Sequence, residues 1–164
     1  MAGDKIEVIV EIPRGSRNKY EYDHESGAIR LDRRLYTAMA YPADYGFIPD
    51  TLCGDGDPLD ALIILDEPTF PGCHVDVRIV GVYFMVDESG PDAKLLCVLA
   101  GDARWEHVKD LEDISSHLRE EIAHFFRVYK DLEPNKSAEP GYFEGRDAAV
   151  KELEECIERY RTTH

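Results

Sequence analysis

Basic residues are scarce: 19 Lys and Arg stand against 34 Asp and Glu, for a net charge of −15 and a pI near 4.7. Such a balance repels a phosphate backbone or an anionic membrane surface and attracts cations, so neither nucleic acid nor membrane is expected as a partner. No apolar run approaches the roughly 18 residues of a membrane span. The stretch Met1-Ala2-Gly3-Asp4-Lys5 also lacks the apolar segment of a secretory signal. The expectation is a cytoplasmic protein. Only four cysteines occur, at 53, 73, 97 and 156, none of them at the C-x₂₋₄-C spacing of a zinc site. They read as reduced thiols, with Cys97 and Cys156 in apolar patterns that suit a core. The six histidines form no HExxH, and His117 and His124 stand too far apart, at i and i+7, to share one metal.

What is present is enough for a core, since 43% of the 164 residues are hydrophobic and the length suits one domain over 1–164. Ile6, Val8, Val10 and Ile12 alternate as a strand stopped by Pro13 and Gly15. Residues 19–23 and 28–32 read as two short strands around Glu25-Ser26-Gly27. From Tyr41 to Pro71 the chain is rich in Pro and Gly, with one apolar run at 61–65. Residues 75–86 form a long strand in which Gly81 marks a bulge or bend, and 94–100 is its expected partner. The period then changes. Leu118, Ile122, Phe125, Phe126 and Tyr129 make a helical stripe, as do Ala149, Leu153, Cys156, Ile157 and Tyr160, with a loop over 133–145 between them. Strands first and helices last, without β-α-β alternation, predict a mainly β (α+β) fold: a small antiparallel barrel with two C-terminal helices packed on it.

The acidic excess is concentrated. Asp55-Gly56-Asp57-Pro58-Leu59-Asp60 puts three carboxylates in six residues. Asp87-Glu88-Ser89-Gly90-Pro91-Asp92 places Asp87 and Asp92 on either side of a four-residue turn, where they face one another and can share a metal or a water, with Lys94 on the face of Asp92. Acidic turns are often merely solvated, but two of them, each at the end of an apolar strand, favour metal. Read as an EF-hand from Asp55, position 5 is Leu59 and position 6 is Asp60 instead of Gly, so that site is excluded. All-oxygen ligation suits Mg²⁺ or Mn²⁺ better than zinc. Lys19, Arg33, Lys94 and Lys130 near these carboxylates would complete a site for a metal-complexed phosphate.

Together these residues resemble a family. Asp55-Gly56-Asp57-Pro58-Leu59-Asp60-Ala61 is similar to the signature of the family I soluble inorganic pyrophosphatases, of the short prokaryotic type. Six further blocks fall in family order: Glu11 to Pro13, Lys19 to Glu21, Leu31 to Arg33, Tyr41 to Gly46, Asp87 to Lys94, and His124 to Glu133. The resemblance implies a five-stranded OB-like barrel and hydrolysis of pyrophosphate, taken as its magnesium complex, to two orthophosphates. The attack would come from a metal-activated water, with no covalent intermediate. It implies several Mg²⁺ ions per site, with Mn²⁺ a possible substitute, and a homo-hexamer built as a dimer of trimers. Asp55, Asp60, Asp87 and Asp92 would bind metal, Glu11 and Glu21 would orient metal-bound waters, and either Asp57 or Asp92 would take the water's proton. Lys19, Arg33, Tyr45, Tyr129 and Lys130 would hold phosphate oxygens, Lys94 would lie beside the metals, and Tyr41 would support the pocket. The departures are C-terminal: Ser137-Ala138-Glu139 where an aromatic and a further Lys are usual, Phe143 for Trp, and Val128 for a second His. Three rival readings are a broader phosphohydrolase of nucleotides or polyphosphate, a barrel that binds single-stranded nucleic acid, and an inactive metal-binding homologue.

Overall fold

The alternating residues Ile6–Ile12 do form a strand, β1, in the computed structural model, which describes residues 3–164. Met1 and Ala2, the start of the stretch inspected for a signal, lie outside the described residues. Strands β2 (Asn18–Tyr22), β3 (Ile29–Arg34), β4 (Asp44–Phe47), β5 (Asp60–Ile64), β6 (His74–Asp87) and β7 (Gly90–Leu99) follow. Helix α1 (Ser116–Val128), strand β8 (Tyr142–Gly145) and helix α2 (Arg146–Thr163) complete the chain.

Pairing runs β1-β4-β5-β7-β6, and β6 pairs back onto β1, so these five strands close a ring. β8 is added to the outer edge of β6, and β2 and β3 form a separate hairpin. The barrel is therefore five-stranded as expected, with a difference in direction at one seam. β5 and β7 are parallel, Asp60 beside Lys94 and Ala61 beside Leu95, while the other pairings are antiparallel. A parallel neighbour requires a crossover rather than a hairpin, and the long β6 is that crossover.

Two strands are buried on both faces. Residues 61–64 of β5 and 93–98 of β7 are all buried, which explains why they read as apolar runs, broken only by Lys94, instead of alternating ones. One side chain set, including Val8, Ala61, Ile63, Leu95 and Cys97, packs with Ala149, Leu153 and Cys156 of α2. The other, including Leu62, Ile64, Leu96 and Val98, packs with Ile122, Phe125 and Phe126 of α1. Each helix presents the stripe that its periodicity predicted. Cys156 lies in the core, as its pattern suggested, but it meets Cys53 there, a pairing that sequence spacing concealed.

Gly81 does stand at a bulge: the β6–β7 register slips between Ile79 and Gly81. The loop read over 133–145 contains β8, and the Pro- and Gly-rich stretch contains β4; both are four residues long, too short for periodicity to register. The unusual Ser137-Ala138-Glu139 segment docks through its backbone. Ala138 bridges Asp87, Ser137 N donates to Glu88 at 3.3 Å and Glu139 N donates to Val86 O at 2.9 Å. Side chain changes there leave those bonds available. Phe143 packs against Tyr83 with the rings tilted and their centroids 4.7 Å apart.

The β1–β4 seam sets one strict steric demand. A Cβ on Gly46 would lie 2.1 Å from the carbonyl oxygen of Ile9, in backbone that cannot withdraw without breaking the ladder. Gly46→Ala is expected to destabilise the fold by about 1–3 kcal/mol, the usual cost of overpacking. Urea denaturation checks this: the midpoint should fall while the m-value stays unchanged.

Candidate active site

The β5–β7 seam brings the two acidic turns together. Parallel register sets Asp60, the last residue of the first acidic turn, beside Lys94, and Asp92 lies two residues before Lys94 on the same strand face. Lys94 is 2% exposed, and its Nζ donates to Asp92 at 3.0 Å, to Asp60 at 3.3 Å and to the Tyr45 hydroxyl at 2.7 Å. Tyr45 in turn donates to Asp60 at 2.8 Å. The ammonium also sits 4.9 Å from the ring centroids of both Tyr45 and Phe126. Burial opposes the charge on Lys94, but Asp92 and Asp60 outweigh it and hold its pKa well above the usual lysine value. Tyr41 is buried beneath, 5.4 Å from the Tyr45 ring and 4.7 Å from that of Phe125.

Above this buried cation opens a cleft of about 210 Å³. Its walls carry Glu11 and Glu21, then Asp55, Asp57 and Asp60, then Asp87 and Asp92, with Lys19, Lys94, Lys130, Tyr45 and Tyr129. Seven carboxylates thus meet three lysines. Asp57 is exposed near the tip of its turn, where its N–H donates to Asp55 at 3.0 Å. Lys130 is nearly buried and is held 3.0 Å from Glu88 and 3.5 Å from Asp87.

Three placements differ from the sequence reading. Asp87 does not face Asp92. β6 and β7 continue to an Asp87–Gly90 pair, leaving a two-residue turn, and Asp92 pairs with Met85. Glu88 and Ser89 keep negative φ, and the residue after them, Gly90 at φ +113°, takes the left-handed position that closes such a turn. The two carboxylates remain diagonal neighbours on the cleft wall. Arg33 is not among the cleft-lining residues. Its guanidinium lies 2.8 Å from Glu133 and 2.6 Å from Asp32, and Asp32 also accepts from Lys19 at 3.1 Å. The Tyr45 hydroxyl, expected at a phosphate oxygen, donates to Asp60, while Lys94, expected beside the metals, donates to the carboxylates Asp60 and Asp92.

Several site residues escaped sequence reasoning. Asp32 and Glu133 hold the basic side chains, and Glu88 clamps Lys130 across 42 positions of sequence. His24 stands at the cleft, edge-on to Tyr22 and Phe47 at 4.9 and 5.2 Å. Glu88 carried a signal as a member of the second acidic turn, and Asp32 and Glu133 fell within family blocks without an assigned role.

The electrostatics of the cleft decide which ions it suits. Burial, with Asp60 and Glu21 nearby, pushes the Glu11 carboxyl up to about 7 despite the Tyr22 N–H and Lys19. Burial likewise raises Asp60, with Asp92 adding and Lys94 and Tyr45 opposing, and burial with neighbouring aspartates raises Asp55. Carboxylates that resist ionising together in a rigid, all-oxygen cleft fit hard divalent cations. The four surplus negative charges are what two such ions would cancel.

The whole arrangement has known counterparts. The inorganic pyrophosphatase family model matches residues 8–161. The chain belongs to the inorganic pyrophosphatase family. It is 57% identical over 157 residues to an inorganic pyrophosphatase of Streptomyces coelicolor, covering 96% of each chain. To that of Geobacillus stearothermophilus it is 52% identical, covering 94% of this chain and 93% of the relative. The crystal structure of the Thermus thermophilus inorganic pyrophosphatase superposes with a TM-score of 0.95 at 48% identity, covering 98% of this chain and 93% of that one. Among the described residues no helix of this pyrophosphatase is long and apolar enough to cross a membrane.

Two outcomes follow from the buried charges. A carboxyl pKa raised by folding means that the folded state binds the proton more tightly, so its stabilising share is present below 4.5 and lost as pH climbs through about 7. The thermal midpoint of metal-free protein should therefore drop more steeply between pH 4.5 and 7 in the wild type than in Glu11→Gln, whose amide oxygen still accepts from Tyr22. Lys94→Met should cost about 3–5 kcal/mol in metal-free protein by stranding Asp60 and Asp92. Denaturation with and without Mg²⁺ tests it, because added metal should restore part of the loss.

Proposed function

We propose that this cleft hydrolyses inorganic pyrophosphate, bound as its magnesium complex, to two orthophosphates by direct attack of water, with the chain acting as one catalytic unit over 1–164. The observation that carries the reading is the meeting of both acidic turns, Glu11, Glu21, Lys19 and Lys130 on one small cleft. At about 210 Å³ it is smaller than the ~300–1,000 Å³ typical of sites for larger organic ligands. That favours a bare diphosphate over a nucleotide. The clustered carboxylates likewise disfavour nucleic acid.

Asp55, Asp60, Asp87 and Asp92 would hold the metal ions, with Glu11 and Glu21 orienting their water. When bound, Mg²⁺ supplies positive charge to the phosphate oxygens and acidifies water, a role Mn²⁺ can share. Asp57 is assigned as the base. Asp92 is engaged by the Lys94 ammonium, whereas Asp57 stands exposed at the cleft. Lys19, Lys130 and Tyr129 would bind phosphate oxygens, and Arg33 would join them by exchanging Asp32 for substrate. Lys94 and Tyr45 are positioning residues: they fix Asp60 and Asp92. The same reading places the protein in the cytoplasm as a homo-hexamer of two trimers.

Phosphate release should be rapid from pyrophosphate with Mg²⁺ and slight from ATP or tripolyphosphate. Comparable release from ATP would move the assignment to a broader phosphohydrolase, and no release from any of the three would remove the enzymatic reading. Asp57→Asn should lose about 10²–10⁴-fold in turnover at nearly unchanged metal affinity. Asp60→Ala should raise the Mg²⁺ concentration needed for half activity, and an unaltered titration would remove Asp60 from the ligands.

A further inference from the structure

A second cavity, of about 370 Å³, lies beside the acidic cleft and shares Asp92 with it. Cys53, Glu152 and Arg159 are on its wall, and Cys156 is buried next to them on α2. The Cys53 and Cys156 sulfurs are 3.1 Å apart, and Cys156 Sγ is 3.8 Å from Glu152 Oε1. One ligand atom from each of these three residues lies within 4.8 Å of the other two. We propose that Cys53, Cys156 and Glu152 form a second metal site, one for a thiophilic divalent cation such as Zn²⁺, separate from the all-oxygen cleft.

Distances, charge and scaffold agree on this. Zn–S bonds of about 2.3 Å and Zn–O bonds of about 2.0–2.2 Å set tetrahedral ligand atoms roughly 3.5–3.8 Å apart. The Cys156–Glu152 spacing already matches, and the sulfurs need to part by about half an ångström. Glu152 and Cys156 are one helical turn apart and share a face. Cys53 reaches them because Leu52 N donates to Cys156 O at 3.0 Å and Arg159 donates to Leu52 O at 2.8 Å. Two thiolates and a carboxylate exceed a divalent charge by one. The Arg159 guanidinium, 3.9 Å from Cys156 Sγ, supplies the balancing positive charge. The fourth coordination position opens on the cavity and is left for water. Hard Mg²⁺ has little affinity for thiolate, so the two sites sort metals by softness.

The site reaches the acidic cleft through one turn. Cys53 N donates to Asp57 O at 2.7 Å, and Gly56 N donates to Cys53 O at 3.1 Å, so Cys53 closes the turn that carries Asp55 and Asp57. A cation on Cys53 clamps the base of that turn to α2. The proposal stands without the pyrophosphatase reading, and its test reads metal and thiol rather than activity.

The reduced full-length protein is titrated with Co²⁺, then Zn²⁺, with Mg²⁺ saturating the carboxylates throughout. The expected result is a thiolate-to-cobalt charge-transfer band that saturates at one ion per chain and is bleached by Zn²⁺. Cys53→Ser and Cys156→Ser should each abolish the band, and Glu152→Gln should weaken binding about tenfold or more. Zn²⁺ at a hundredfold excess over its Kd should raise the wild-type thermal midpoint by about 5–10 °C and leave the serine variants unmoved. No band in the wild type, or a band surviving in both serine variants, overturns the site. So does a chain lighter by two hydrogens with both thiols lost and no metal bound, which would make the pair a disulfide instead. Should a serine variant fail to fold, wild-type stoichiometry and Glu152→Gln on the half-buried helix face still decide.

Discussion

The buried ammonium of Lys94 is the contact on which the rest of the site depends. A lysine 2% exposed is stable there only if its charge is matched, and Asp60 and Asp92 match it from two different acidic turns. The ion pairs therefore do more than satisfy a cation. They fix the relative position of the two carboxylate groups, and the rigid aromatic floor of Tyr41, Tyr45, Phe125 and Phe126 fixes the lysine. The parallel β5–β7 seam is the backbone expression of the same constraint, because only that register sets Asp60 beside Lys94.

Around this pin the protein keeps its other charges unbalanced where cations are wanted and balanced where they are not. Arg33, Lys19 and Lys130 are each answered by an acid, namely Glu133, Asp32 and Glu88, so the basic side chains are held in place before any anion arrives. Glu11, Asp55 and Asp60 are left raised in pKa, crowded and partly desolvated. Donors placed in advance reduce the reorganisation needed when charge develops in a reaction, and the exchange of Asp32 by Arg33 is what remains of it on the proposed reading. On the proposed reading, metal ions reverse the local sign at this cleft and so reconcile a strongly acidic chain with an anionic substrate.

Much of the fold was legible because its signals are local. The alternation of β1, the stripes of α1 and α2, the bulge at Gly81 and the hairpin of β2 and β3 each arise within fewer than about 18 residues, the range over which periodicity and turn chemistry act. β4 and β8 were not legible, since four-residue strands hold too few side chains for a period and exist by pairing with distant neighbours. The Asp87–Asp92 turn was misjudged in register because a two-residue turn and a four-residue turn use the same Asp, Ser and Gly vocabulary. The cysteines were read as unrelated thiols since sequence spacing says nothing of a contact spanning 103 positions.

The sequence by itself determined which chemistry was available: carboxylates in two tight turns, few and specifically placed cations, oxygen ligands rather than sulfur at the acidic turns, and a barrel with two helices. Those are properties of residue type and short-range spacing, and a family's motifs preserve them. Only the tertiary structure decided who meets whom. It buried Lys94 between the turns, set Arg33 against Glu133, placed the Tyr45 hydroxyl on Asp60, and set Cys53 against Cys156. These outcomes depend on strand register, barrel closure and desolvation. Each is a long-range term that no window of sequence contains.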